Sequence, residues 1–261
     1  MPDVIVTGLP RSGATVVAAL VDGLPNAVCL NSPKVQITRA RQQHELMPYC
    51  KWLAGDFVWQ RGQFLRGEPV SDFRAADGSP LMDGLSGPKD PVSFTRPELK
   101  GNFILGMKHH VLYTALLPTL VKFAHFKIIA VIRHPLDVLA SWQKQKHAPL
   151  SKGNPPGIAH FWPEALAVME SKAKQLDRLV QLYEMHLQRY HELREQIHIV
   201  KYEDVVRDPM IVSRLFDVDA LPANASKIKS RPRILHMENA ERIRESLKKY
   251  GVFAREYYGE V

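Results

Sequence analysis

The residues at the start of the chain have the types and spacing of an anion-binding loop. Residues 4–15 read VIVTGLPRSGAT, an apolar run followed by a turn that contains Gly8 and Gly13. A helical pattern follows at 16–24. Backbone N–H groups in such a loop, together with the positive end of the next helix, attract an anion. The first chemistry that this sequence predicts is therefore the binding of a phosphate-like group.

The spacing of the two glycines is that of a P-loop, but Ala14 stands where a P-loop carries its lysine. A P-loop NTPase also needs an acidic residue after a later strand to hold magnesium. Here the strand predicted at 127–132 is followed by Arg133, which has the opposite charge. With Arg11 as a further cation in the loop, this pattern favours a nucleotide with phosphate groups at two places and no metal.

The elements that must position this loop alternate along the chain. Short apolar runs predict strands at 4–6, 27–30, 103–107, 127–132 and 197–201. Helical patterns lie between them at 16–24, 34–66, 113–124 and 166–190, the last as one long helix. This alternation predicts an α/β fold, a three-layer sandwich with a central parallel sheet and a P-loop-like nucleotide-binding topology. Ligands of such sheets bind at the carboxyl ends of the strands.

Composition limits the class of protein. A length of 261 residues suits a single domain over 1–261. The content of 45% apolar and 24% charged residues is ordinary for a globular protein, and the net charge is +8. The sequence has no run of five or more basic residues, so a nucleic-acid partner is not expected. It also has no stretch that approaches the roughly 20 apolar residues of a membrane span. The first strand begins too near Met1 for a signal peptide, so we expect a cytoplasmic protein. Cys29 and Cys50 are predicted to be reduced core thiols, with no metal site.

A loop-rich insertion is predicted at about 50–100. Within it, residues 67–99 are rich in Gly, Pro, Asp and Ser and have weak periodicity. This stretch is either a lid that shapes the site of a second substrate or an ordinary surface loop.

Three motifs together resemble the sulfotransferase family that uses PAPS, 3'-phosphoadenosine 5'-phosphosulfate. They are PRSGAT at 10–15, RHPLDVLAS at 133–141 and YEDVVRDP at 202–209. The resemblance covers residues 3–32, 103–142 and 198–210 in the family's order and spacing. The Arg-Ser-Gly form of the first motif is similar to that of bacterial and carbohydrate-type members.

The resemblance implies a set of residues that bind the cofactor PAPS. They are Arg11, Ser12, Gly13, Ala14, Thr15 and Val16 for the 5'-phosphosulfate, Arg133 and Ser141 for the 3'-phosphate, and Tyr202 near the adenine. Two of these have structural alternatives. Arg133 could instead cap a helix or pair with Asp137, and Tyr202 could be a half-buried tyrosine at the end of a strand.

The resemblance also implies catalytic residues. The run Lys108-His109-His110 is similar to the Lys-x-His segment of the cytosolic enzymes, which makes Lys108 a cation near the transferring group and His110 the general base. A shift of one residue would make His109 the base. Arg11, beside the start of a helix, is suited to stabilise the departing phosphate.

Tyrosylprotein sulfotransferases instead use a glutamate soon after the second strand. Asn31 and Ser32 occupy that region here, and Glu45 is only a distant substitute. The family's basic C-terminal loop has no clear counterpart, since Lys248 and Lys249, or Arg231 and Arg233, are equally consistent with a solvated surface.

The sequence therefore predicts a sulfotransferase that moves the sulfuryl group of PAPS to a hydroxyl of a small molecule or glycan, such as a carbohydrate or other bacterial metabolite. Two alternatives remain at this point: a P-loop kinase or NTPase, and a non-catalytic nucleotide-binding protein on the same fold.

Overall fold

A computed structural model of the protein describes residues 3–82, 90–123, 125–144, 159–228 and 237–260. Arg231, Arg233 and the loop predicted at 147–157 lie outside these residues. The strands are β1 (Asp3–Gly8), β2 (Ala27–Asn31), β3 (Val70–Asp72), β4 (Val92–Phe94), β5 (Ile104–Lys108), β6 (Phe126–Ile132) and β7 (His198–Lys201). The helices are α1 (Ala14–Asp22), α2 (Lys34–Gln42), α3 (Leu46–Leu65), α4 (His110–Leu120), α5 (Pro135–Lys144), α6 (Pro163–Glu170), α7 (Gln175–Glu192), α8 (Tyr202–Arg207), α9 (Met210–Arg214), α10 (Met237–Tyr250) and α11 (Val252–Tyr258).

The five longer strands form one sheet in the order β2-β5-β1-β6-β7, and every pairing in it is parallel. β1 is therefore the central strand. Val6 of β1 is paired with Lys108 of β5, and Asn31 of β2 is also paired with Lys108. The carboxyl ends of three neighbouring strands thus meet at one edge, which is where parallel sheets bind ligands.

Side chains that alternate along the strands build a core on each face of the sheet. Ile5 packs with α3, α4, α5 and α7, whereas Val4 and Val6 pack with α1 and α9. Successive residues of a strand point to opposite faces, so one strand serves both cores. The result is the predicted α/β fold of three layers, with a parallel sheet between two layers of helices.

The prediction of one long helix over 166–190 is wrong, because the structure has two helices, α6 and α7, in that range. Ser171 leaves the helical conformation with ψ of 155°. Its hydroxyl donates to the carbonyl of Val168 at 2.8 Å, and Arg178 of α7 donates to the carbonyl of Met169 at 2.8 Å. The apolar spacing continues through the break, so the periodicity alone did not reveal it.

The segment predicted to be irregular contains an antiparallel hairpin of β3 and β4, anchored by buried charges. Arg74, only 1% exposed, forms ion pairs with Asp22 of α1 and with Asp72 of β3. Arg96 pairs with Asp22 as well, at 3.1 Å. These four side chains, the hairpin charge cluster, fasten the described part of this segment to the sheet.

Cys29 and Cys50 are buried free thiols, as predicted. In the part of the chain that the structure describes, no helix has the length and apolar character needed to cross a lipid bilayer.

Candidate anion-binding and transfer site

The loop between β1 and α1 has the conformation of an anion cradle. Gly13 precedes α1 with φ of 94°, and Arg11 has φ of 71°. A β-carbon disfavours this left-handed region, so the conformation of Arg11 is held by its surroundings. Ser12 donates its N–H to the carbonyl of Leu9 at 3.0 Å, and the Trp142 indole donates to the carbonyl of Pro10 at 2.8 Å. The loop is therefore closed on itself and tied to α5.

Several donors of the loop remain for a ligand. Val16 donates its N–H to the carbonyl of Gly13 at 2.9 Å, so this group, like the N–H of Ser12, is used within the protein. The N–H groups of Ala14 and Thr15, at the start of α1, have no acceptor among the described residues. The hydroxyl of Ser12 is buried and likewise lacks a partner there. A buried donor without a partner costs about 1–3 kcal/mol, so these groups favour an anion at this place.

Tyr202 lies against this loop. A β-carbon added to Gly13 would fall 2.1 Å from Cδ2 of the Tyr202 ring. The Tyr202 ring also contacts the Arg133 guanidinium, whose carbon lies 4.7 Å from the ring centroid. Tyr202 therefore joins the loop of β1 to the residue that follows β6, an arrangement that requires glycine at position 13.

Gly13→Ala is expected to lower the free energy of unfolding by about 2–4 kcal/mol, because both the positive φ and the Tyr202 contact oppose a methyl group. Denaturation in urea measures the loss. Gly55→Ala is the matched control, since nothing lies within 4 Å of an added β-carbon inside α3; there alanine should be neutral or stabilising. Equal stability of the two variants would contradict the Gly13–Tyr202 contact.

The two predicted arginines meet beside α5. Arg11 donates through Nε to the hydroxyl of Ser141 at 3.2 Å. Arg133 reaches the carbonyl of Arg11 and the carboxylate of Asp137, each at 3.4 Å, so its predicted alternative partner is present, though at long range. Nε of Arg133 is buried without a partner among the described residues. The Tyr183 hydroxyl holds the backbone of Arg133 by donating to its carbonyl at 2.7 Å.

Lys108 ends β5 and is 4% exposed. Its ammonium donates to Oδ1 of Asn31 at 2.9 Å and contacts the hydroxyl of Ser32 at 3.4 Å. Burial lowers the pKa of Lys108 to about 8, and the negative charge of Asp72 opposes this shift. Asn31 is oriented for this contact because its N–H donates to Asp72 at 2.7 Å.

The two histidines that follow have different environments. Nδ1 of His109 accepts the N–H of Leu112 at 3.3 Å and so caps the start of α4. Burial, with the nearby charge of Lys108, lowers the pKa of His109 to about 3. Nδ1 of His110 is buried with no partner among the described residues. Burial also lowers the pKa of His110 well below its usual value, with further contributions from Lys108 and Arg11.

Arg11 also contributes to lowering the pKa of Lys108, so the cations of the loop and the end of β5 are within electrostatic reach of one another. The structure thus brings the predicted catalytic and cofactor-binding residues to one edge of the sheet. The other candidates lie elsewhere: Glu45 is exposed ahead of α3, and Lys248 and Lys249 are exposed on α10.

Sequence reasoning missed residues that support this site. Trp142 and Tyr183 hold the backbone of the loop and of Arg133, and Glu203 accepts the N–H of His134 at 2.9 Å. Asn31 was noted only for not being a glutamate. The parallel register of neighbouring strand ends, Asn31 opposite Lys108, is the signal that could have identified it.

Comparison with a protein-family model agrees with these motifs. The family described as "Sulfotransferase domain" matches residues 1–229. A crystal structure of a sulfotransferase from Alicyclobacillus acidocaldarius is similar at a TM-score of 0.46 and 15% identity, covering 100% of this chain and 97% of that one. A search of curated protein sequences found no significant match. Since the family match spans most of the chain and includes the anion loop, the strand ends and the Tyr202 segment, this chain belongs to the sulfotransferase family.

Proposed function

We propose that this protein transfers the sulfuryl group of PAPS to a hydroxyl of a small molecule or glycan, such as a carbohydrate or other bacterial metabolite. The observation that carries the proposal is the meeting, at one sheet edge, of an anion loop with unused donors and the cations Arg11, Lys108 and Arg133. This arrangement suits a ligand with two separate anionic groups.

The residues present fit PAPS by their donor chemistry. The buried hydroxyl of Ser12 and the N–H groups of Gly13, Ala14 and Thr15 are donors without acceptors among the described residues, at the positive end of α1. These groups, with the Thr15 hydroxyl, would hold the 5'-phosphosulfate, whereas the N–H of Val16 is used by the carbonyl of Gly13.

Arg133 and Ser141 would hold the 3'-phosphate. The unused Nε of Arg133 and the Ser141 hydroxyl are linked through Arg11, which contacts both residues. A guanidinium presents a planar fork of donors that matches a phosphate. Tyr202, stacked between Arg133 and Gly13, would lie near the adenine.

The chain's own residues supply positioning, charge and a proton acceptor. When bound, PAPS supplies the sulfuryl group, whose bond to the bridging phosphate oxygen breaks as a bond to the acceptor oxygen forms, and PAP, 3',5'-adenosine bisphosphate, departs with the electron pair. Arg11 and Lys108 stabilise the negative charge that develops on the departing side. A ring nitrogen of His110 accepts the proton of the acceptor hydroxyl.

His110 is favoured over His109 as the base. The lone pair of Nδ1 of His109 is engaged by the N–H of Leu112, and its ring packs against Tyr113 with centroids 5.9 Å apart. Burial lowers the pKa of both histidines, so both imidazoles are neutral near pH 7. The difference between them is that Nδ1 of His110 has no partner among the described residues.

The segment 50–100 is proposed to shape the acceptor site. Its hairpin residue Asp72 contacts Asn31, which in turn contacts Lys108, so the hairpin borders the transfer site.

Calorimetric titration with PAP, ADP and ATP, each with and without magnesium, tests the proposal. We expect PAP to bind most tightly and independently of magnesium. Ala14 stands where an NTPase has its phosphate-binding lysine, and Arg133 stands after β6 where an NTPase has the acidic residue that holds magnesium. Preference for ATP with magnesium would instead favour a kinase or NTPase. Tight PAP binding without transfer to any hydroxyl acceptor would favour a non-catalytic nucleotide binder.

A further inference from the structure

Helices α4 and α7 lie side by side and run in the same direction. α4 follows strand β5 and α7 precedes strand β7 of the same parallel sheet. The hydroxyls of Thr114 and Tyr190 are 2.7 Å apart and fix the register of the two helices. One turn earlier on each helix are His110 and His186, because residues four apart share a helix face. The register therefore places these two side chains on facing turns, close enough for His186 to help lower the pKa of His110.

The protonation pattern of His186 follows from its hydrogen bond. Nδ1 of His186 lies 2.8 Å from the carbonyl oxygen of Leu182. A carbonyl only accepts, so Nδ1 carries the proton and Nε2 keeps the lone pair. The side chain is 1% exposed, its ring packs against Trp162 with centroids 4.8 Å apart, and Nε2 has no partner among the described residues.

Nδ1 of His110 is likewise buried without a partner in the described part of the chain. The charged and titratable groups that lower the pKa of His110 are Lys108, His109, Arg11 and His186, and Arg189 acts in the same sense on His186. With burial, these groups favour two neutral rings, and burial lowers the pKa of His186 to about 4. A neutral ring has one donor and one acceptor nitrogen, so the two unpartnered atoms can be complementary.

We propose that His186 is a positioning residue for His110, acting through one buried water between Nε2 of His186 and Nδ1 of His110. The water donates to Nε2 of His186 and accepts the N–H of His110 Nδ1. Buried waters typically satisfy polar groups of this kind. This link holds His110 in the tautomer with the proton on Nδ1, so that Nε2 is the nitrogen that accepts a proton. Its catalytic consequence rests on the proposed function, in which His110 is the base.

Nitrogen-15 NMR of labelled histidine tests the link directly, with His110→Gln and His186→Gln spectra assigning the two rings. In the wild type we expect both His110 and His186 to be protonated on Nδ1. In His186→Phe, which keeps a packed ring but removes the acceptor, His110 should divide between its two tautomers. A wild-type His110 protonated on Nε2, or a His110 tautomer unchanged in His186→Phe, overturns the proposal.

Kinetics give the second readout. We expect His186→Phe to lower kcat by about tenfold, with the KM for acceptor and the affinity for PAP unchanged, because only the orientation of the base is affected. His186→Gln should retain kcat within about twofold, since its amide oxygen can accept from the same water. An equal loss of kcat in both variants overturns the link. If the wild type transfers no sulfuryl group, the proposed function is refuted but the link between His186 and His110 is not. The tautomer of His110, measured by NMR, tests that link without any activity.

Discussion

Replacing His110 with alanine is expected to lower kcat for sulfuryl transfer by about 10²–10⁴-fold, the range for a lost general base. PAP affinity should remain within about twofold, because no hydrogen bond joins the His110 side chain to the anion loop among the described residues. In the proposed function, the contribution of His110 is the acceptance of a proton by a neutral, half-buried imidazole at the start of α4. Single-turnover rates with saturating PAPS, together with PAP titration, measure the two quantities.

His109→Ala is the matched control, because it removes the neighbouring imidazole. Loss of the helix cap at Leu112 should lower stability by about 1 kcal/mol while kcat is largely retained. If His110→Ala keeps full activity and His109→Ala loses it, the base is His109 and the proposed register of the Lys108-x-His110 segment is wrong.

The second large effect is expected from Arg133→Ala, which should weaken PAP binding by about 10–100-fold. A hydrogen bond to a charged group contributes about 1.5–3 kcal/mol, and the guanidinium is fixed by Tyr202 and by Asp137. ADP lacks a 3'-phosphate, so its affinity should change far less. Calorimetry with both nucleotides on both proteins isolates the part of the loss that belongs to the 3'-phosphate.

Arg66→Ala controls for the change in net charge, because Arg66 is exposed and pairs only with Glu68 among the described residues. It should leave PAP binding unchanged. A fall in the stability of Arg133→Ala without any fall in PAP affinity would show that Arg133 serves the structure through Asp137. An equal loss for PAP and ADP would mean that Arg133 does not bind the 3'-phosphate.

The central sheet could be predicted from sequence because buried parallel strands are continuous apolar runs. The runs at 4–6, 103–107 and 127–132 lie within one or two residues of β1, β5 and β6. The same pattern predicted that the anion loop and the residues after the other strands lie close together, since the strand ends of a parallel sheet share one edge.

The hairpin could not be predicted, because β3 and β4 have three residues each and depend on partners far along the chain. Arg74 is 52 positions from Asp22, and no local pattern signals such a pair. The same limit applies to His186, whose relation to His110 arises from the packing of α4 on α7. Sequence patterns report which face of a helix is buried but not the register of two helices.

The hairpin charge cluster has a consequence for how this protein can vary. Two carboxylates, Asp22 and Asp72, pair with two guanidiniums, Arg74 and Arg96, largely out of water, and Arg96 also pairs with the exposed Glu98. Removing one partner of a buried pair leaves an uncompensated charge, at a cost of about 3–5 kcal/mol, whereas exchanging the whole set for apolar residues can be neutral. Substitution here is therefore expected to proceed by coordinated replacement, while exposed positions of the same hairpin, such as Ser71 and Ser93, can drift singly. In the proposed function, the border of the acceptor site would then diversify around an inherited anchor of paired buried charges.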